Sequence, residues 1–452
     1  MLARKTHLTR RSKANYPSTM KANTHYAIAL GTVILLASSG TSQAQDSDEV
    51  ITPSQPSNGL SQWANDKLPE FLTSGKVNVN ANLRYEYADI DSFGLGPDPR
   101  VSNAATIRTR LGYVTGDLAG FKAMVEFEDV TSLNSDDNYN PAGLNPASAN
   151  RSVIADPEAT EVNRAWLSYH RWDTTMKFGR QRIVLDNARF IGNVIWRQNE
   201  QTFDAISISN TSLLPQTDLY YAYLFQIHRI VGDDHPAGNW DSDTHLIHIS
   251  HDLGKYGKMT PYTYLVDLSE APAVSSATYG ASYDGKVPLS EDWAASYKAE
   301  FAIQTDYGDN PISYTAPYYH LNSGGHYQKA NFGVGYEVLG SDDGNAAVST
   351  PLATAHAFNG WADAWLNTPA DGLEDLYVWV GYELPWQIPA KILYHTFSSA
   401  KGSQDYGNEI NAIATKKIGK YFNLLAKFAY YQGGDNGRAD RTRFWLQGSF
   451  NF

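Results

Sequence analysis

The sequence predicts an all-β fold, a transmembrane up-and-down antiparallel β-barrel of about eighteen strands with one inward-folded loop. Three observations carry this. From Val77 to Phe452, segments of about ten residues alternate apolar with polar side chains. The connections between them alternate between short and long. The chain holds 29 Tyr, 17 Phe and 11 Trp in 452 residues, yet its mean hydropathy is −0.42. That pairing suits aromatic girdles around a polar interior. A β-sandwich alternates too, but a chain this long would need two or three such domains, and no linker divides it. In hydrocarbon every unpaired backbone group costs several kcal/mol, so a spanning sheet has to close on itself.

Residues 1–44 read as a signal peptide. Arg4, Lys5, Arg10, Arg11 and Lys13 form a basic region, Met20 offers a second start, and an apolar run covers Ala27 to Ala37. The run is too short for a membrane helix. Ser42-Gln43-Ala44 is a small-residue cleavage site, so the mature chain starts near Gln45. Cleavage removes six Lys/Arg and no acid, taking the formal charge from −12 to −18. An acidic exported chain argues against nucleic acid as a partner. With no cysteine there is no disulfide, thiol nucleophile or thiolate metal site. Residues 45–75 read as a periplasmic leader with a short amphipathic helix in SQWANDKLPEFL, and residues 76–452 as the barrel. No later apolar run reaches about 18 residues, so no transmembrane helix is expected.

The strands follow in order. Asn82, Arg84 and Glu86 alternate with Leu83, Tyr85 and Tyr87, and Arg108 and Arg110 with Ile107, Thr109 and Leu111. Glu126 and Glu128 alternate with Val125 and Phe127, Arg164 and Trp166 with Ala165 and Leu167, and Lys298 and Glu300 with Ala299 and Phe301. Short connections are read at Gly116–Gly120, Arg171–Thr174, Leu253–Lys258, Asn322–Gly325, Leu384–Gln387 and Ile418–Tyr421. Long ones, rich in Asp, Asn, Gly and Pro, are read at Asp91–Asn103, Ser132–Thr160, Ile183–Gln201, Val231–Asp241, Asp306–Ser313, Gly340–Gly372 and Gly433–Asp440. The alternation holds only if Ser313–Leu321 is a strand closed by the Asn322–Gly325 turn, which makes the count even. In the last strand Phe444, Leu446, Gly448, Phe450 and Phe452 share the outward face. That terminal aromatic resembles the signature read by the barrel assembly machinery. About eighteen strands leave an aqueous lumen.

The stretch from Phe178 to Ala205 leaves the strand pattern and resumes it near Phe203. It brings Arg180, Arg182, Arg189 and Arg197 into eighteen residues, with Asp186 and Asp204 between and beyond them. Only an inward loop can narrow so wide a barrel, and a loop rich in guanidinium puts fixed positive charge there. Rings of Arg favour anions, and guanidinium matches a carboxylate in bidentate geometry. The residues expected to line the passage and meet a solute are Arg84, Arg108, Arg110, Arg164, Arg180, Arg182, Arg189, Arg197, Asp204, Lys298, Arg441 and Arg443. The plainer reading pairs these arginines with inward acids such as Glu86, Glu126, Glu128 and Glu300, so that they stiffen the wall.

Two other classes compete. His228, His235, His245, His248 and His251 cluster with several Asp, which would suit a barrel enzyme. Yet His248 and His251 fall on opposite faces of a strand, and a contiguous Ser250-His251-Asp252 is not a triad. A non-conducting structural or adhesive barrel would not need the arginines. No cofactor is expected; calcium at the loops Ser135-Asp136-Asp137, Asp233-Asp234 and Ser341-Asp342-Asp343 would find hard oxygen ligands, a solvated acidic loop being the plainer reading.

GRQRIVLDNARFIGNVIWRQNEQTFDA (Gly179–Ala205), YKAEFAIQTDYGDNP (Tyr297–Pro311), STPLATAHAFNGWADAWLNTPADGLEDLYV (Ser349–Val378) and the terminal RFWLQGSFNF together resemble the alginate-export family of outer-membrane porins. The resemblance implies a monomeric barrel of about eighteen strands in the Gram-negative outer membrane, set in lipid and lipopolysaccharide. It implies an arginine-lined conduit for an anionic saccharide or small anionic solute, with a plug-like loop and a periplasmic export scaffold as partner.

Overall fold

The computed structural model describes residues 67–92 and 98–452. The expected signal peptide lies outside them, as does most of the leader, whose described part is helical over 67–73. Eighteen strands follow: β1 (Lys76–Ile90), β2 (Ser102–Val114), β3 (Phe121–Ser132), β4 (Ala159–Arg171), β5 (Thr174–Gln181), β6 (Thr202–Leu214), β7 (Thr217–His228), β8 (Asn239–Asp252) and β9 (Lys258–Val266). The second half is β10 (Ser276–Pro288), β11 (Trp293–Asp306), β12 (Thr315–Tyr327), β13 (Ala330–Leu339), β14 (Leu373–Leu384), β15 (Ile388–Ser398), β16 (Asp405–Ile418), β17 (Phe422–Gln432) and β18 (Arg441–Asn451). Each pairs antiparallel with its sequence neighbours, and β1 also pairs with β18, for example Glu86 with Trp445, so the sheet closes without an edge. Both ends of the barrel chain, Lys76 and Asn451, lie on the side of the short turns.

The side-chain period of two sorts residues by face, with the polar set inside. Leu83 is 50% exposed and Phe127 52%, whereas Arg84 is 2% and Glu86 0%. Along β18 the inward set includes Arg443 and Trp445 while Leu446 faces out. A register shift where Glu126 and Phe127 of β3 meet β4 marks a bulge that leaves Asn163 between two register partners. The bulge turns Asn163 inward beside Arg164, because one extra residue breaks the alternation.

One expected turn is misplaced. Asn322–Gly325 lies inside β12, and the reversal comes at Gln328 and Lys329, where Gln328 takes φ 49°. Gly324 and Gly325 give room to neighbouring rings, as Phe332 lies against Gly325, and do not turn the chain.

The lumen is not open throughout. Two long connections fold into it, one between β5 and β6 and one between β13 and β14. They pair with each other: the Gly192 amide donates to the Leu352 carbonyl and the Thr354 amide to the Ala188 carbonyl. Phe190 and Ile191 of the first insert and Leu352 and Trp365 of the second join wall residues Tyr262, Tyr318 and Tyr431 in one buried apolar cluster. Phe190 meets Tyr318 edge-on at 5.0 Å between ring centres. The expected aqueous lumen is therefore partly filled, since the inserts carry enough apolar surface to build their own core against the wall.

Candidate functional site

The first insert begins where β5, the shortest strand at 8 residues, ends early and releases Arg182 into the lumen. Its charged side chains meet the wall in two networks. In the upper one Arg197 pairs with Glu86 at 3.3 Å and Asp363 at 2.7 Å, Arg443 with Glu86 at 2.8 Å, and Arg84 with Asp156 at 3.2 Å. Three guanidinium groups thus meet three carboxylates, all buried. Arg84 also lies over the Trp196 ring at 4.5 Å. Next to this network, Lys427 sits 4.0 Å from the rings of both Trp196 and Trp361 and donates to His356 Nε2 at 2.7 Å. His356 Nδ1 in turn donates to Asp363 at 2.6 Å. Burial pushes the His356 imidazole down to about 3, the Asp363 charge opposing this and the Lys427 charge adding to it.

The lower network is different in its balance. Arg110 pairs with Glu128 and, at 3.2 Å, with Glu200; Arg182 pairs with Glu200; Arg164 pairs with Glu126 at 2.6 Å. Asn163 of the bulge bridges Glu126 and Glu200 at 2.9 and 3.0 Å. Burial alone would raise the Glu200 carboxyl, but the Arg182 hydrogen bond and the Arg110 charge hold it down at about 2. Arg108 is the odd member. It donates to the Asn80 amide oxygen at 2.7 Å and to the Gln198 carbonyl, and forms no ion pair among the described residues. Its Nε and one terminal nitrogen of Arg110 are buried without a partner among the described residues. Four guanidinium groups here face three carboxylates.

Arg108, Arg110, Arg164 and Arg182 line a cavity of about 930 Å³ that reaches the short-turn rim at Lys76, Tyr421 and Asn451. Arg197 borders a second one of about 630 Å³, together with Arg229 and Gln201. The first insert stands between the two, with Ile195 bordering the lower cavity and Val194 the upper.

The remaining candidates are dispersed. Arg189 of the first insert pairs with Glu337 of β13 at 2.8 Å and is buried. Arg441 donates to the Asp363 carbonyl, and Lys298 pairs with Glu300 at 2.9 Å. Arg180 and Asp204, expected in the passage, are cross-strand partners in register with the outward Phe178 and Ile206. They form a clamp with His228, whose Nε2 is 3.0 Å from Asp204, and border neither cavity, because β5 keeps its alternation through Arg180. His248 is held by Asp186 at 2.9 Å. Among the described residues no three His, Cys, Asp or Glu side chains gather as a metal ion would need.

Sequence reasoning passed over Asp156, Glu200, Asp363, His356 and Lys427. Glu200 lies within the arginine-rich run itself, and four arginines there called for a buried counter-charge. The other four gave no local signal, since only tertiary folding brings them to the inserts.

Residues 76–281 match the alginate export family. This alginate-export stretch runs from β1 into β10 and contains the whole first insert. Among solved structures the barrel is similar to Pseudomonas aeruginosa OpdK with vanillate, at 13% identity over 84% of this chain and 100% of that one, TM-score 0.66. It is also similar to Acinetobacter baumannii OccAB2, at 14% identity over 85% and 99%, TM-score 0.64. Pseudomonas aeruginosa OccK9 (OpdG) follows at 15% identity over 84% and 100%, TM-score 0.63. No curated protein matches the chain. The barrel thus has the fold of outer-membrane porins, and the family matched by residues 76–281 and the solved structures it is similar to are porins and transporters.

Proposed function

We propose that this barrel is a passive porin for anionic solutes, with acidic saccharides of the polyuronate kind as the cargo class. The observation that supports this most is the guanidinium row of Arg108, Arg110, Arg164 and Arg182 on the lower cavity, one positive charge in excess of its carboxylates. Among the described residues Arg108 is bonded only to neutral oxygens, which leaves its charge ready for a solute. A carboxylate entering from the short-turn side would gain two fixed donors without displacing an existing ion pair. The alginate-export match points to the same class of cargo. The similarity to OpdK, crystallised with vanillate, supports a second reading in which the solute is a small carboxylate, and the plugged lumen favours short cargo over a long free chain.

Reconstitution in a planar bilayer tests this. Discrete conductance steps are expected, with a reversal potential on the anion side in a salt gradient. Arg108→Ala with Arg182→Ala should lower the anion-to-cation permeability ratio by about threefold, as the loss of fixed charge at a narrow point requires. A folded protein without discrete steps would remove the porin reading, and an unchanged ratio would remove the guanidinium row as its selective element.

A further inference from the structure

A third cavity, of about 320 Å³, lies on the inward face of β11 to β15, on the far side of the strand ring from Arg108 and Arg110. Its lining combines two wall aromatics, Tyr377 and Trp379, with Trp361 of the second insert and the cations Lys298 and Lys391. Tyr377 and Trp379 are successive inward residues of β14, and their partners across β13 are Gly335 and Gly333. A β-carbon on Gly333 would collide with the Trp379 ring, one on Gly335 with the Tyr377 ring, and Gly324 of β12 lies against the same indole. The glycines are seats: each ring lies on bare backbone and borders the cavity, Tyr377 stacked on the His395 imidazole at 5.2 Å and Trp379 with the Lys391 ammonium 5.1 Å from its centre. An indole placed only to fill space would not need that seat.

The polar groups around the rings divide into spent and unspent. Glu337 is taken by Arg189, Tyr318 and Asn359, and Asp375 by His395 and Asn359. Lys298 is taken by Glu300. Lys391 is unspent: its ammonium lies 5.1 Å from the Trp379 ring centre and forms no ion pair among the described residues. His320 bonds the Tyr377 hydroxyl through Nε2 at 2.9 Å, and its Nδ1 has no partner among the described residues. His395 Nε2 likewise has none. Both imidazoles are more than nine-tenths buried, at 6% and 5% exposure, so water does not freely complete them.

An indole bordering the cavity, an ammonium outside any ion pair among the described residues and two unfilled imidazole nitrogens match a pyranose ring that carries a carboxylate. The C–H faces of such a ring are apolar and stack on aromatics, its hydroxyls supply donors and acceptors at the edge, and its carboxylate pairs with an ammonium. We propose that this cavity is a subsite for a single hexuronate residue of an acidic saccharide, seated against Trp379 beside the Tyr377 edge with its carboxylate on Lys391. The proposal rests on the anion-passage reading and adds to it a wall that recognises the sugar ring as well as the charge.

The test is single-channel recording with trigalacturonate and, as a neutral trisaccharide, maltotriose. Trigalacturonate should block the wild-type channel in resolved events. Trp379→Ala should shorten the dwell of both sugars, by about tenfold for the uronate, since a lost stacking surface of this kind is worth on the order of one decade. Lys391→Gln should shorten the uronate dwell and leave maltotriose unchanged, and Trp379→Phe should retain the uronate dwell within about twofold because the ring face survives. Heat-modifiable electrophoretic mobility establishes that each variant is a folded barrel before it is recorded. Unchanged uronate dwell in both Trp379→Ala and Lys391→Gln, with dwell shortened in Arg108→Ala, overturns the subsite and leaves the passage reading standing. Unchanged dwell in all three overturns both. Equal loss for the two sugars in Lys391→Gln overturns the assignment to a uronate.

Discussion

A guanidinium group inside a barrel either attracts a passing anion or holds the protein to itself, and its partners decide which. Arg197 is of the second kind. It reaches Glu86 on β1 and Asp363 on the second insert, and so joins both inserts to the wall. Arg108, whose partners among the described residues are all neutral oxygens, is the residue proposed for the first kind. The two predict different phenotypes for the same substitution. Arg197→Ala leaves buried Glu86 and Asp363 under-compensated, a defect that typically costs about 3–5 kcal/mol. The expected result is a lower midpoint for the heat-induced electrophoretic shift and a noisier open channel, with anion selectivity near wild type. A fall in selectivity as large as that of Arg108→Ala would mean that Arg197 also belongs to the conducting path. Residues of the first kind were legible only in part. The alternation placed Arg108 and Arg110 inward correctly, but nothing local to the sequence distinguishes a free guanidinium from a paired one.

Strands and inserts differ in how much of their fate is written locally. The period of two in β1, β2, β3 and β18 comes from the pleat itself, so the inward and outward sets follow from a few residues each. The count of eighteen followed from turn chemistry and parity even though one turn was set at Asn322–Gly325. The glycines there serve the rings packed against them, a demand that comes from β13 and β14 and not from their own segment. The first insert was visible as a break in alternation after β5, but its burial partner, the second insert, read only as a long loop. Gly360 of that second insert shows why. It takes φ +83°, and a β-carbon there would strike the Glu409 carboxylate, which accepts the backbone amides of Trp361 and Ala362. Left-handed backbone and close approach together demand glycine. Gly360→Val should detach this segment from β16 without unfolding the barrel. The readout is a rise in mean conductance and in open-channel noise with normal heat-modifiable mobility. Wild-type conductance in a folded Gly360→Val channel would show that the segment does not limit the passage.

For the whole molecule, the question is what keeps a large barrel plugged, and acid is the probe that separates its two networks. In the lower network Glu200 is held at about 2, below the ordinary carboxylate value near 4.3, so its contribution to docking is full above about pH 4.3 and is lost as pH falls from there toward 2. The His356 contact behaves otherwise. Its imidazole is buried between Asp363 and Lys427 and titrates at about 3, against about 6.5 when free. The undocked or unfolded form therefore binds a proton below pH 6.5 that the docked form does not, and stability conferred by this contact declines as pH falls from 6.5 toward 3. Lys427 already donates to Nε2, so a proton there breaks that hydrogen bond and sets two positive charges side by side under the Trp196 ring. The expected outcome is an open-channel noise that grows as pH is lowered from 6.5 to about 4.5, a range in which Glu200 keeps its charge. His356→Gln can accept from Lys427 and donate to Asp363 without titrating in this range. It should flatten the noise-against-pH curve while leaving the curve of Arg108→Ala as steep as that of wild type. Equal pH dependence in His356→Gln and wild type would place the acid-sensitive contact elsewhere in the plug.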